Sequence, residues 1–308
     1  MNDPSRRAPR RSLRDLPVTL ASAHLRPRGS WRPAPDLSVT LRGALGSALF
    51  DVACVRDHRK CEGCAVHPCM IPDWYDPSRS SRAHHVRPFT LHVRTPALAT
   101  PEDGVHASWS FLGPVPWPAA FLVALQRAAL LGLGRNRVPH DVARLQVYGE
   151  GAPVEVVEAN KQVGIWPRPG RLADFLMPAP PSLTSATLHV RGPLRLHRDL
   201  EPEPPSGADV LRGGFFRMRD VTRALGFSLR ERWPDPDEVV GTWLDVDLRT
   251  HRRRASDGSG SVDLAGWQGT LHLAGDLAPY ADLLAAMAVL GVGKNTSSGM
   301  GFVDVSWG

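Results

Sequence analysis

Lysine is nearly absent from this chain: only Lys60, Lys161 and Lys294 occur in 308 residues, so arginine carries almost all of the positive charge. Also absent is any uninterrupted apolar run of the roughly 20 residues that a membrane-spanning helix needs. The early arginines are not followed by the apolar h-region of a secretory signal. These absences lead us to expect a soluble, cytoplasmic protein with no membrane partner. A P-loop is missing as well. That motif needs Gly, four residues, then Gly-Lys-Ser/Thr after a strand. Here Ala288 stands at the first glycine, Asn295 follows Lys294, and the preceding residues read as helix. ATP or GTP binding is argued against. Cysteine is scarce and confined, all four residues lying between Cys54 and Cys69, which does not resemble a disulfide framework spread over a secreted fold.

What is present is a basic chain with 37 Lys+Arg against 31 Asp+Glu, a formal net charge of +6 and 42% hydrophobic residues. The hydrophobic content supplies cores for two domains of ordinary size. The charge favours a polyanionic partner, although a compositional bias toward arginine and alanine would give the same picture.

Residues 1–16 hold several arginines and little apolar content, and read as a basic, flexible tail. From Pro17, residues 18–25 alternate as a first strand. Pro33 and Pro35 break it, and Asp36 is placed to cap a helix through residues 41–50. Gly43 and Gly46 weaken that helix by propensity and make more sense where another backbone or an RNA strand comes close. Strands are expected near 87–95 and 104–112, a strongly apolar helix from Pro118 to Leu131 with proline at its first position, and a strand near 143–148.

Two segments recur. Ala129-Leu130-Leu131-Gly132-Leu133-Gly134-Arg135-Asn136 matches Ala288-Val289-Leu290-Gly291-Val292-Gly293-Lys294-Asn295 in chemical type, each copy following an apolar helix and preceding a strand. Leu41-Arg42-Gly43 recurs as Leu211-Arg212-Gly213. Each half therefore reads strand, helix, two strands, helix, strand. The expected class is α+β: two tandem ferredoxin-like (RRM-like, βαββαβ) domains. Their boundaries are 17–149, with a cysteine-rich insertion at 54–86, and 184–308, joined by a Pro/Gly-rich connector at 150–183. Within the second half, alternating segments at 242–248 and 267–273 flank Arg252, Arg253 and Arg254 and a Gly/Ser-rich tip, which reads as a long basic hairpin.

Gly291, Gly293, Lys294, Asn295, Thr296, Ser297, Ser298, Gly299 and Gly301 form a loop in which two Gly-apolar-Gly steps frame a basic, hydroxyl-rich centre. Glycine lets backbone N–H groups approach an anion closely. The loop is thus either a phosphate cradle or a tight helix-to-strand turn.

With these residues assembled, the chain resembles the CRISPR-associated repeat-RNA-processing endoribonucleases of the RAMP superfamily. The glycine loop fits their signature, Gly-apolar-Gly, five mixed residues, Gly-apolar-Gly. Leu41-Arg42-Gly43-Ala44-Leu45-Gly46, followed by the four cysteines and the pair Trp74-Tyr75, looks like a cysteine-bearing branch. The resemblance implies binding of repeat RNA (crRNA). It also implies metal-independent cleavage by the RNA's own 2′-hydroxyl, leaving a 2′,3′-cyclic phosphate. It points to His24 as the base or, as in relatives that lack a histidine base, to an arginine mechanism for which Arg26, Arg42 and Arg252 to Arg254 are available. His84, His85 and His251 stand behind His24. The loop residues 291–301 and Arg252 to Arg254 are expected to hold RNA, and other CRISPR effector subunits are possible partners. The main alternative is a non-catalytic RAMP subunit that binds guide RNA; a redox or sensor protein built on the cysteines is a third class.

Cys61-Glu62-Gly63-Cys64 has knuckle spacing, with Cys54 before and Cys69 after. A structural zinc on these four sulfurs, with His58 or His67 able to replace one, an iron–sulfur cluster, and reduced free thiols are all open. No cofactor is expected for catalysis.

Overall fold

The computed structural model describes residues 9–34, 36–55, 61, 64, 66, 69–76, 86–94, 104–197, 199–250, 252–254 and 261–308, the side chains of 252–254, 261 and 262 excepted. His58, His67, His84, His85 and His251, and the hairpin tip at 255–260, lie outside the described residues.

In chain order the strands are β1 (Arg10–Arg11), β2 (Pro17–Pro27), β3 (Phe89–Arg94), β4 (Val105–Leu112), β5 (His140–Tyr148), β6 (Val154–Glu158), β7 (Lys161–Gln162), β8 (Gly170–Arg171), β9 (Ser185–Leu194), β10 (Ser228–Leu229), β11 (Val240–Arg249), β12 (Arg252–Arg254), β13 (Ser261–Asp263), β14 (Gly266–Ala274) and β15 (Val303–Trp307). The helices are α1 (Leu37–Ala53), α2 (Pro118–Leu130), α3 (Gly207–Ala224) and α4 (Ala281–Leu290). The chain divides into two compact units. One comprises Val18–Gly170 and Ser297–Gly299; the other comprises the residues up to Pro17, Arg171–Thr296 and Met300–Gly308.

The first unit is built on an antiparallel sheet ordered β3-β4-β2-β5-β6-β7. Alternation is clear over residues 20–25 of β2 and 105–109 of β4. Ala21, Ala23 and Leu25 of β2 point into a core with Leu41, Leu45 and Leu49, spaced four apart on α1. Phe89 of β3, Phe111 of β4 and Phe121 of α2 join them. The aromatic pair of the cysteine-rich segment belongs to this core. Trp74 and Tyr75, 6% and 3% exposed, stack on Phe89 with ring centroids 5.2 and 5.4 Å apart. The described part of that segment thus completes the unit's core. Gly46 has a packing cause, since a Cβ there would lie 2.8 Å from the Tyr75 ring, whereas Gly43 has open space. Asp36 occupies the N-cap of α1, but its side chain makes no capping hydrogen bond. The region expected as a connector at 150–183 is partly sheet, because β6 and β7 extend the β5 edge.

The second unit has a sheet ordered β11-β14-β9-β15, antiparallel throughout. Ser206 starts α3 with a reciprocal capping box to Asp209. Gly214 allows α3 to approach α4 closely: a Cβ there would be 2.5 Å from the Met287 sulfur. The expectation of a loose tail needs correcting for residues 9–16. There β1 pairs in parallel with β10, Leu13 and Leu16 are fully buried, Ser12 donates to Glu231 at 2.6 Å, and Arg14 holds Asp282 through two contacts of 2.7 Å. Two buried leucines outweigh the solvation of the arginines around them.

The units share one plan. Each runs strand, helix, strand, strand, helix, strand, with the third strand of the set beside the first. Leu-Arg-Gly falls in the second turn of α1 and again in the second turn of α3.

Candidate active site

The alternation that sends Ala21, Ala23 and Leu25 into the core leaves Ser22, His24 and Arg26 on the opposite face of β2, away from α1 and α2. Strand register then sets their neighbours. His24 lies opposite His106 on β4 and opposite Arg144 on β5, and His106 lies opposite Arg94 on β3. One row therefore crosses four strands as Arg94, His106, His24, Arg144. The adjacent row is His92, Ser108, Ser22, Gln146. Cross-strand neighbours on one face interact directly. The His24 and His106 rings are parallel, 1° apart in plane, with centroids separated by 4.6 Å. His106, Ser108, Arg94, Arg144 and Arg26 are exposed and His24 is half-buried. Gly104 leaves room beside the ring, since a Cβ there would stand 3.1 Å from His24 Nε2. Arg144 is oriented by Glu155 at 2.6 Å. Imidazoles accept and donate protons near neutrality, and guanidiniums bind phosphate oxygens. The row carries the groups that phosphodiester chemistry requires.

Of the residues singled out in the sequence, His24 and Arg26 come together on this face. Arg42 does not. It lies on the helix side of the sheet, 6% exposed, with its guanidinium 5.4 Å from the centre of the Tyr75 ring, and Tyr75 donates its hydroxyl to the Arg42 carbonyl. Nearby Arg87 pairs with Asp76 at 2.9 Å, and burial, with Arg42 beside it, pushes its guanidinium below the usual range. His106, Arg94 and Arg144 escape a reading of the sequence because their relation to His24 exists only through strand register. The available signal was the alternation Val105-His106-Ala107-Ser108, which matches that of β2.

The glycine loop lies in close backbone contacts. Lys294 N–H donates to the Arg195 carbonyl at 2.9 Å, Val292 N–H to Gly301 and Gly301 N–H to Pro193. The first half repeats this geometry, with Arg135 N–H donating to the Arg32 carbonyl at 3.0 Å. Gly293 and Gly134 both have positive φ, and a Cβ on either would stand 2.4 Å from the carbonyl oxygen of Arg195 or Arg32. Thr296, Ser297 and Ser298 are buried, and Lys294 is exposed. The N–H groups at 292, 294 and 301 already have carbonyl partners. Arg252, Arg253 and Arg254 pair with Asp263, Val262 and Ser261 in a short hairpin.

Cys54, Cys61 and Cys69 are partly buried against the first unit's core. Burial raises the Cys69 thiol, with Asp73, Cys64 and Cys54 adding to the effect against a lowering hydrogen bond from Ile71. Among the described residues no three Cys, His, Asp or Glu are grouped to hold one ion. The fit to zinc as placed is poor, and no step below is routed through a metal.

Residues 167–303 match the family model described as CRISPR-associated endoribonuclease Cas6. Residues 167–303 form a Cas6-family domain. Ahead of the Cas6 match, residues 17–166 match a model described as an N-terminal domain. The chain is similar in fold to a solved Cas6 product complex, with TM-score 0.52 and 16% identity over 94% of this chain and 99% of that one. It is likewise similar to Thermus thermophilus Cas6, with TM-score 0.51 and 13% identity over the same shares. A partial Cas6-RT-Cas1–Cas2 complex gives TM-score 0.50 and 12% identity, covering 98% of this chain and 47% of that one. No curated protein matches the chain. The mixed α+β architecture with antiparallel sheets is the Cas6 fold, and the family is one of RNA-cleaving enzymes. No helix among the described residues is long and apolar enough to cross a membrane.

Proposed function

We propose that this chain cleaves CRISPR repeat RNA without a metal, by attack of the 2′-hydroxyl on the adjacent phosphate. The products are a 2′,3′-cyclic phosphate on one fragment and a 5′-hydroxyl on the other. The observation that carries this reading is the row Arg94, His106, His24, Arg144 on an accessible sheet face. His24 takes the proton of the 2′-hydroxyl. Arg26, Arg94 and Arg144 offset the charge that builds on the phosphorane oxygens. The two units are tandem ferredoxin-like domains on this reading, supported by their shared strand order and by the matching Arg32 and Arg195 contacts. Other CRISPR proteins are proposed partners, supported by the likeness to a chain of the Cas6-RT-Cas1–Cas2 complex.

His24→Ala should slow cleavage of repeat RNA by about 10²–10⁴-fold, the usual worth of a general base, and leave RNA affinity within a few-fold. A His24→Ala chain that cuts at the parental rate removes His24 from the mechanism. A parental chain that binds repeat RNA and never cuts it supports a non-catalytic guide-RNA subunit instead. Structural zinc on Cys54, Cys61, Cys64 and Cys69 is a separate proposal, which their spacing allows and their placement does not favour, and metal analysis decides it. About one zinc per chain supports it; four titratable thiols without metal overturn it.

A further inference from the structure

We propose that His106 is the general acid of the reaction, delivering a proton to the departing 5′-oxygen while His24 removes one from the 2′-hydroxyl. This assignment rests on the endoribonuclease reading above.

In-line displacement places the attacking and leaving oxygens on opposite sides of one phosphorus, so one side chain cannot serve both at once. The protein must offer two proton-transfer groups separated by about the width of a phosphate. The two imidazoles, parallel and 4.6 Å apart on directly opposed residues, meet that requirement. Both stand on interior strands of the sheet, β4 and β2, flanked on either side by β3 and β5. Their spacing therefore needs no loop to become ordered. Of the two, His106 is the more exposed and His24 is half-buried. The guanidiniums of Arg94 and Arg144 close the row at its two ends, Arg144 held by Glu155 on β6, and Arg26 follows on β2. These charges suit the non-bridging oxygens of a phosphate lying along the row.

Elimination points the same way. Lys161 lies on edge strand β7, Lys60 is outside the described residues, and His92 in the adjacent row is buried. Tyr148 donates its hydroxyl to Gln146 at 2.7 Å, two rows from His24. Serine hydroxyls are too weakly acidic for the task.

The step balances. The 2′-oxygen loses its proton to neutral His24 and bonds to phosphorus. The bond from phosphorus to the 5′-oxygen breaks, and that oxygen gains the proton of cationic His106. Water returns the proton from His24 to His106 between turnovers, so no co-reactant is consumed.

A repeat RNA with sulfur in place of the bridging 5′-oxygen tests this, because a thiolate leaves without protonation. His106→Ala should cut the ordinary RNA about 10²–10⁴-fold more slowly than the parent and the sulfur-bridged RNA within about ten-fold of it. His24→Ala should be slow on both. RNA affinity, measured with the 2′-deoxy analogue, should be preserved in His106→Ala. A parental rate for His106→Ala on ordinary RNA, or an undiminished defect on the sulfur-bridged RNA, overturns the assignment while leaving the endoribonuclease reading intact. A parental chain that cuts neither RNA overturns both.

Discussion

His24 and His140 stand on neighbouring strands and face different surroundings, which separates a residue for chemistry from one for folding. His24 reaches the accessible face. His140, at the start of β5, is fully buried, with Nδ1 2.7 Å from the Val138 carbonyl and its ring edge-on to Trp31. Burial lowers its affinity for protons, against smaller raising effects from that carbonyl and from Asp141. The unfolded chain therefore binds the proton more readily. The His140 contribution to stability is complete above the ordinary histidine range, near 6.5, and is lost as pH falls through and below it. Denaturant titrations of His140→Gln should show a flatter dependence of stability on pH between about 7 and 5 than the parent, together with a lower stability at neutral pH. An unchanged slope would remove His140 as a source of acid sensitivity. His24 is nominated through the family resemblance, as the histidine that ends the first strand beside arginines. The sequence could not separate Arg42 from that site, since only the side of the sheet on which α1 packs places Arg42 among aromatics.

At the scale of the element, the glycine loop shows the close turn packing that is one of its two readings in the sequence. Its octet repeats because two equivalent loops each pack their second glycine on a carbonyl, of Arg32 in one unit and Arg195 in the other. The repeat was legible because glycine is the one residue that permits both the positive φ and the contact. The contact itself was not, because Arg195 is remote in the sequence. Gly293→Ala should consequently destabilise the second unit by at least about 1–2 kcal/mol from backbone strain alone, seen as a lower denaturation midpoint. Lys294→Ala should leave the midpoint unchanged and weaken RNA binding several-fold. The opposite pattern, an intact midpoint with lost binding in Gly293→Ala, would support the backbone phosphate cradle instead.

For the whole molecule, the duplicated order of elements could be read from hydrophobic periodicity and two recurring tripeptide and octet anchors. The placement of residues 9–16 could not: their arginines suggest a solvated tail, and the backbones of Leu13 and Leu16 are tied to Glu231 and Leu172, remote in sequence. Leu13→Ala should cost about 2–5 kcal/mol, the usual range for a buried leucine, measured by chemical denaturation. A change below about 0.5 kcal/mol would mean that the segment is not held in solution. The excess of arginine over acid also requires that repeat-RNA affinity fall steeply with salt. The account as a whole turns on the RNA supplying its own nucleophile to the histidine row. Its most direct test is incubation in EDTA of all-ribose repeat RNA and the same RNA with 2′-deoxy at the scission nucleotide. The account predicts that the first is cut to a 2′,3′-cyclic phosphate end and the second is bound but left whole. Cleavage of the deoxy substrate, or abolition of all cleavage by EDTA, would contradict it.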